Sequence, residues 1–265
     1  WNDRESVKAS VSKNNQYIHL VNNAGSTLPL GIWVPSPYLV KPQYSWQYPA
    51  GYCRNFADNN WEASLEAYYK DMRNQVEYRE GYTPSLKDTE EEFVFGKGYA
   101  YGTELFIHKI KGKLTGWVGY TLAWTWRQFP DLNGGKRFPA KYDPPHHLSV
   151  VASYEYSPRW TFSTVFIYGS GNTTTLPEKF YFLDGVLMQE YGAVNSYRMK
   201  AYHRLDLSAV YTPKKKNPGR RLTSSWAFSI YNVYSRLNPY FIYFDQTGNV
   251  LDGNLEIKAK QVSLF

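Results

Sequence analysis

The chain of 265 residues contains no long hydrophobic run, and nothing in it approaches the roughly eighteen apolar residues that a membrane helix needs. It has one cysteine, Cys53, which excludes an intrachain disulfide framework and a cysteine-cage metal site. Residues 1–6 carry neither a basic segment nor an apolar core, so no leader peptide is recognisable and the reading expects a fragment. Net charge is +7, but the cations are scattered. The one dense group, Lys214, Lys215 and Lys216 with Arg220 and Arg221, is interleaved with Pro213, Asn217, Pro218 and Gly219. It reads as a solvated turn and not as a nucleic-acid surface.

What the chain has in excess is aromatic rings: 18% of residues, with 25 Tyr and 9 Trp, at a negative mean hydropathy. Those properties conflict in a helical membrane protein. They agree in a strand wall, where only alternate residues meet lipid and aromatic girdles mark both interfaces. The alternation is present. Leu114, Val118, Tyr120, Leu122, Trp124 and Trp126 fall on one face of residues 113–127. Thr115, Trp117, Gly119, Thr121, Ala123, Thr125 and Arg127 fall on the other, as a period of two requires.

The same reading gives about ten strands, at 6–13, 45–56, 60–78, 95–111, 113–127, 146–156, 159–168, 201–212, 221–234 and 257–265. The connections alternate in length. Segments 14–44, 79–91, 128–145, 169–200 and 235–256 are long, whereas 57–59, Gly112, 157–158 and 213–220 are short. A hairpin over 241–251, turning at Thr247, Gly248 and Asn249, is expected inside the last long segment. Short turns on one side and long loops on the other predict an all-β, antiparallel, up-and-down transmembrane barrel, with the long side outside the cell. The chain then forms one domain, 1–265, of a barrel wall. The faces opposite the aromatic rows hold Ser64, Ser149, Ser153, Ser163 and Ser208, which suit a wet lumen. The alternative fold is a soluble, aromatic-rich, glycan-binding β-sandwich with those rows in its core.

Three stretches carry a family likeness. They are Tyr69-Lys70-Asp71-Met72-Arg73-Asn74-Gln75, Gly96-Lys97-Gly98-Tyr99-Ala100-Tyr101-Gly102-Thr103-Glu104-Leu105, and Gly112-Lys113-Leu114-Thr115-Gly116-Trp117 continuing to Tyr120-Thr121-Leu122. In that order and spacing, the chain resembles TonB-dependent outer-membrane receptors, particularly those of the Bacteroidota. Tyr202-His203-Arg204-Leu205-Asp206-Leu207-Ser208 and Gln261-Val262-Ser263-Leu264-Phe265 resemble the family's late strands. The resemblance implies a barrel of about 22 strands around a plug. It also implies energised uptake of an iron–siderophore, haem, glycan or peptide. The implied partners are outer-membrane lipid, the plug, the inner-membrane energy-coupling complex and a surface lipoprotein. This sequence has neither plug nor coupling motif, and Asp143-Pro144-Pro145-His146-His147 stands where relatives often carry an arginine before the histidine. A receptor-like barrel with a structural or assembly role is the other family-level reading.

No cofactor, metal site or catalytic centre is expected. His146 and His147 are adjacent, so a regular strand points them to opposite faces and they cannot grip one ion. Glu62 and Glu66 share a face about 13 Å apart, beyond the spacing of paired glycosidase carboxylates. With Arg127, Arg204 and Asp206 they form the expected lumen-facing polar set, and Arg204 and Asp206 are placed to pair. Ligand recognition is expected from aromatics in long loops: Trp33, Tyr38 and Tyr44 in the first, and Phe180, Tyr181, Phe182 and Tyr191 in the fourth.

Overall fold

The computed structural model describes residues 3–22, 31–36, 40–79, 92–183, 186–213, 224–247 and 256–264. Extended segments satisfy their backbone N–H and C=O groups only by pairing, and this chain pairs them in antiparallel ladders. β1 (Glu5–Ala9) and β2 (Ser12–Gln16) are two halves of the first strand, and β3 (Ile18–Asn22) forms a hairpin with β4 (Gly31–Pro35). The long strands are β5 (Gln43–Phe56), β6 (Trp61–Tyr78), β7 (Phe93–Lys109) and β8 (Leu114–Gln128), with β9 (Phe138–Pro139) added beside β8. After β10 (His146–Ser157) and β11 (Trp160–Gly169) come four shorter pieces. They are β12 (Thr173–Thr174), β13 (Pro177–Leu183), β14 (Val186–Tyr191) and β15 (Tyr197–Arg198). β16 (Tyr202–Tyr211), β17 (Trp226–Ile230), β18 (Asn238–Thr247) and β19 (Glu256–Leu264) complete the order. The wall runs β1-β5-β6-β7-β8-β10-β11-β16-β17.

Residues directly opposite each other share a face, so the register shows what each side presents. One row reads Val7, Tyr52, Leu65, Leu105, Tyr120, Leu148, Tyr168 from strand to strand. The row behind it reads Lys8, Gly51, Glu66, Glu104, Thr121, His147, Gly169. The greasy rows are not covered: Leu65 is 54% exposed and Phe228 62%. Trp61 and Tyr69 bracket Leu65 on β6, about 27 Å apart along the strand, or roughly 20 Å along the normal at a typical barrel tilt. That is close to the height of a lipid-facing band.

The buried clusters lie beyond that band, toward the long connections. Val21, Val40, Val76, Tyr78 and Phe93 form one, with Val34 of the β3–β4 hairpin against it. Val94, Phe129, Leu132, Phe138 and Val194 form the other. A sandwich would bury the wall's own apolar rows, and here they face outward.

Local backbone explains both kinds of wall end. Ala57, Asp58 and Asn59 adopt left-handed φ of 48°, 53° and 59°, which reverses β5 into β6 within a few residues. Gly112, at φ 100°, does the same between β7 and β8. In β6 the register shifts between Met72 and Gln75, with Asn74 at φ 54°. This bulge inserts one residue and reverses which positions face inward. Glu77 therefore turns to the polar side, where Arg127 donates to it.

The structure differs from the sequence reading in several segments. The stretch 14–44 is not one loop: it holds β2, the β3–β4 hairpin and the start of β5, so Tyr44 lies in a wall strand opposite Arg73. The stretch 169–200 contains a β13–β14 hairpin and the β12–β15 pair. Of the strand expected over 221–234, residues 221–223 lie outside the described residues, and the described part is a strand at Trp226–Ile230. It stops because the Asp206 carboxylate accepts the Asn232 N–H at 2.9 Å, and Asn232 and Ser235 turn left-handed. Of the hairpin expected over 241–251, residues 248–251 lie outside the described residues, and 241–247 belong to β18, which pairs with β19, Asn238 opposite Leu264. Polar extensions past the bilayer have no lipid face, so they lose the alternation that marks the wall. Tyr38 and the basic turn at 214–221 lie outside the described residues.

Candidate functional site

The long connections are laced together at one end of the wall. Asp143 is buried, and its Oδ1 accepts the Thr125 N–H at 2.6 Å, anchoring segment 129–145 to β8. Its Oδ2 accepts Arg198 Nη2 at 3.1 Å, and Arg198 also donates to the carbonyls of Asp143 and, at 2.8 Å, Gly171. A buried carboxylate paired and hydrogen-bonded in this way holds two loops in one arrangement, because removing either partner strands a desolvated charge. Thr173 Oγ1 donates to the Ala140 carbonyl at 2.7 Å, and Asn195 Nδ2 to the Pro139 carbonyl at 2.9 Å. Gly171 permits the crossing, since a Cβ there would stand 1.8 Å from the Met199 carbonyl oxygen. The loops form a roof.

Beneath the roof, on the polar side of β10, β11 and β16, lies a cavity of about 420 Å³. Its reactive lining is Lys141, Tyr142, His147, Lys200, Tyr202 and Tyr240. Two amines, three phenols and an imidazole belong to residues that line this largely apolar cavity, a combination that suits an anionic ligand with ring groups. Burial lowers the Lys141 pKa below the usual 10.5, partly offset by the nearby Glu77 charge. Burial raises that of Tyr142, with a smaller contribution from Tyr240.

The five polar residues expected in the lumen all face the polar side. Glu66 lies over Gly51, where an added Cβ would meet its Cγ at 2.8 Å, and stands opposite Glu104. Glu62 is 3.8 Å from His108. Arg127 is bound to Glu77, and Arg204 to Asp206 at 2.9 Å. Lower on the same face, Thr115, Ser153, Ser163, Ser208 and Ser229 stand opposite one another across five strands. Within that row, Ser163 bonds Ser153 and Ser229 bonds Ser208, each at 3.1 Å.

The aromatic candidates are placed differently, and among the described ones none lines the cavity. Trp33 is 65% exposed on the hairpin face opposite Val34, which packs against the outer cluster. Tyr44 carries Lys13 Nζ 5.0 Å from its ring centre. Phe180 packs against Phe244 at 5.5 Å, leaving Tyr181 and Phe182 exposed on the β13–β14 hairpin. Tyr191 donates to Gln189 at 2.9 Å. The sequence reading missed Lys141, Tyr142, Lys200, Tyr202 and Tyr240. Parity was the available signal for His147 and Tyr202, which share a face with lumenal Ser149 and Arg204 respectively. His146 points to the lipid side, bonding Tyr120 at 2.7 Å, so the histidine pair is divided between the faces.

A family model described as "TonB dependent receptor-like, beta-barrel" matches residues 6–233, and the chain belongs to that family. It is part of a multi-pass protein of the bacterial outer membrane, and its sheet is a portion of an antiparallel barrel. The fold is similar to that of the ferripyoverdine receptor of Pseudomonas aeruginosa, with TM-score 0.58 and 17% identity over 91% of this chain and 28% of that one. It is also similar to the ferric-catecholate import receptor of E. coli K12, with TM-score 0.56 and 15% identity over 90% of this chain and 30% of that one. The chain thus spans about 30% of the length of those receptors. No curated protein sequence matches it.

Proposed function

We propose that the parent protein imports an anionic, ring-bearing nutrient, with ferric siderophore chelates as the favoured class, capturing it in the roofed cavity at the mouth of the lumen. The observation that carries this reading is that Lys141 and Lys200 line one cavity together with Tyr142, Tyr202 and Tyr240. Ammonium and phenol donors suit a chelate bearing negative charge better than a neutral glycan. The similar receptors named above are described with ferripyoverdine and ferric-catecholate ligands, which agrees with that chemistry. Exposed Tyr181 and Phe182 make first contact above the roof. Import then draws on a plug and the inner-membrane complex, as in the family.

The test is uptake of radio-iron chelates by cells making the full-length receptor. Lys200→Gln lowers chelate affinity roughly tenfold, the loss of one charge-assisted hydrogen bond of about 1.5 kcal/mol. Native affinity in that variant, or equal competition by neutral oligosaccharides, overturns the reading.

A further inference from the structure

The outer face of the wall changes character where it leaves the aromatic belt. One row reads Lys13, Trp46, Asp71, Tyr99, Trp126, Pro139 from β2 to β9. The next level holds Tyr44 opposite Arg73, and Lys97 opposite Gln128. Arg137, from the roof segment, leans outward over this belt. Its guanidinium lies 5.0 Å from the Trp126 ring centre, and Nη1 donates to Tyr99 Oη at 3.0 Å. Lys13 Nζ sits 5.0 Å and 5.8 Å from the Tyr44 and Trp46 rings. Arg73 is held by Asp71 at 2.8 Å.

Cations on ring faces are oriented before any ligand arrives, and guanidinium forks match phosphate oxygens. Among the described residues of these rows, four cations stand against one carboxylate, Asp71, which leaves the rows positive. At about 4.8 Å per strand step the array spans roughly 24 Å, directly above the lipid-facing wall. That continuity decides the occupant. A soluble anion would find the lumen equally open, whereas only a membrane lipid is delivered to an outward belt at headgroup height.

We infer that Lys13, Arg73, Lys97 and Arg137 form a binding surface for a phosphorylated lipid of the leaflet at the long-connection end. The aromatic rings below them contact the acyl chains, and the cations engage the headgroup phosphates. This inference is independent of what the receptor imports.

Full-length receptor in zwitterionic detergent, titrated with lipid A and followed by native mass spectrometry, tests it. Lys13→Gln, Arg73→Gln and Arg137→Gln combined lower lipid A affinity at least tenfold, with heat-modifiable gel mobility confirming a folded barrel. Arg137→Gln alone, in a loop segment, gives a smaller loss in the same direction. Arg54→Gln with Lys109→Gln at the opposite rim changes affinity less than twofold. Native affinity in the combined variant, an equal loss at the opposite rim, or equal binding of phosphatidylcholine overturns the inference.

Discussion

Leu65 lies midway between Trp61 and Tyr69, four residues or about 14 Å along β6 from each, and faces outward at 54% exposure. If the belt marks both interfaces, this position is at the bilayer midplane. Leu65→Arg then costs about 2–4 kcal/mol, the penalty for a cation on the lipid face at that depth. Taking about 3 kcal/mol, the folding equilibrium shifts by roughly two powers of ten. The neighbouring residue supplies the control. Glu66 is one step along the strand on the polar side, so Glu66→Arg stays within about 0.5 kcal/mol and eases the repulsion with Glu104. Urea titration of the full-length barrel in lipid vesicles, read by tryptophan fluorescence and gel mobility, measures both. Equal costs at 65 and 66, or a cost at 65 below about 0.5 kcal/mol, would refute the assignment of faces.

The cavity gives a pH dependence. Because burial lowers the Lys141 pKa, the site loses that charge below 10.5 as pH rises, so chelate binding weakens on the alkaline side. Lys141→Arg, whose charge persists, flattens the profile, and an unchanged profile in that variant removes Lys141 from the site. Gly171→Ala forces a Cβ against the Met199 carbonyl, so chelate affinity falls while barrel assembly, followed by gel mobility, is retained. Arg198→Met leaves Asp143 without its cation and costs about 3 kcal/mol of local stability, seen as faster hydrogen exchange across 129–145 and 169–201. Cysteine at Lys179, whose side chain is 69% exposed on a long connection, reacts with an impermeant maleimide on intact cells. Cysteine at Asp58, 92% exposed on a short turn, stays silent. The reverse pattern would invert the orientation.

The wall was legible because lipid on one side and water on the other impose a strict period of two, as at Leu114 through Trp126 in β8. Where that contrast ends, the signal ends. β13 reads Phe180, Tyr181, Phe182, Leu183 without alternation, and β18 runs through Tyr240, Phe241, Ile242, Tyr243, Phe244. Neither face of such a hairpin is fixed by a bilayer, so periodicity does not separate β13 from a loop or identify β19 as the partner of β18. The Arg127–Glu77 pair was hidden for another reason: the bulge at Asn74 shifts Glu77 out of the phase set by Glu62 and Glu66. The cavity was illegible because four separate segments build it, around 141, 169, 200 and 240, and none is a motif alone. Aromatic content in loops pointed toward recognition but not to the residues beneath the roof.

The hydroxyl row from Thr115 to Ser229 has a mechanical consequence. Each of these groups can give one proton and accept two, and a rotation about a single bond exchanges those roles. A polar strand drawn along this inner surface can therefore trade one partner for the next without baring an unsolvated atom. Carboxylates or guanidiniums at the same stations would grip it. Across these five strands the inner surface is built for sliding rather than for holding.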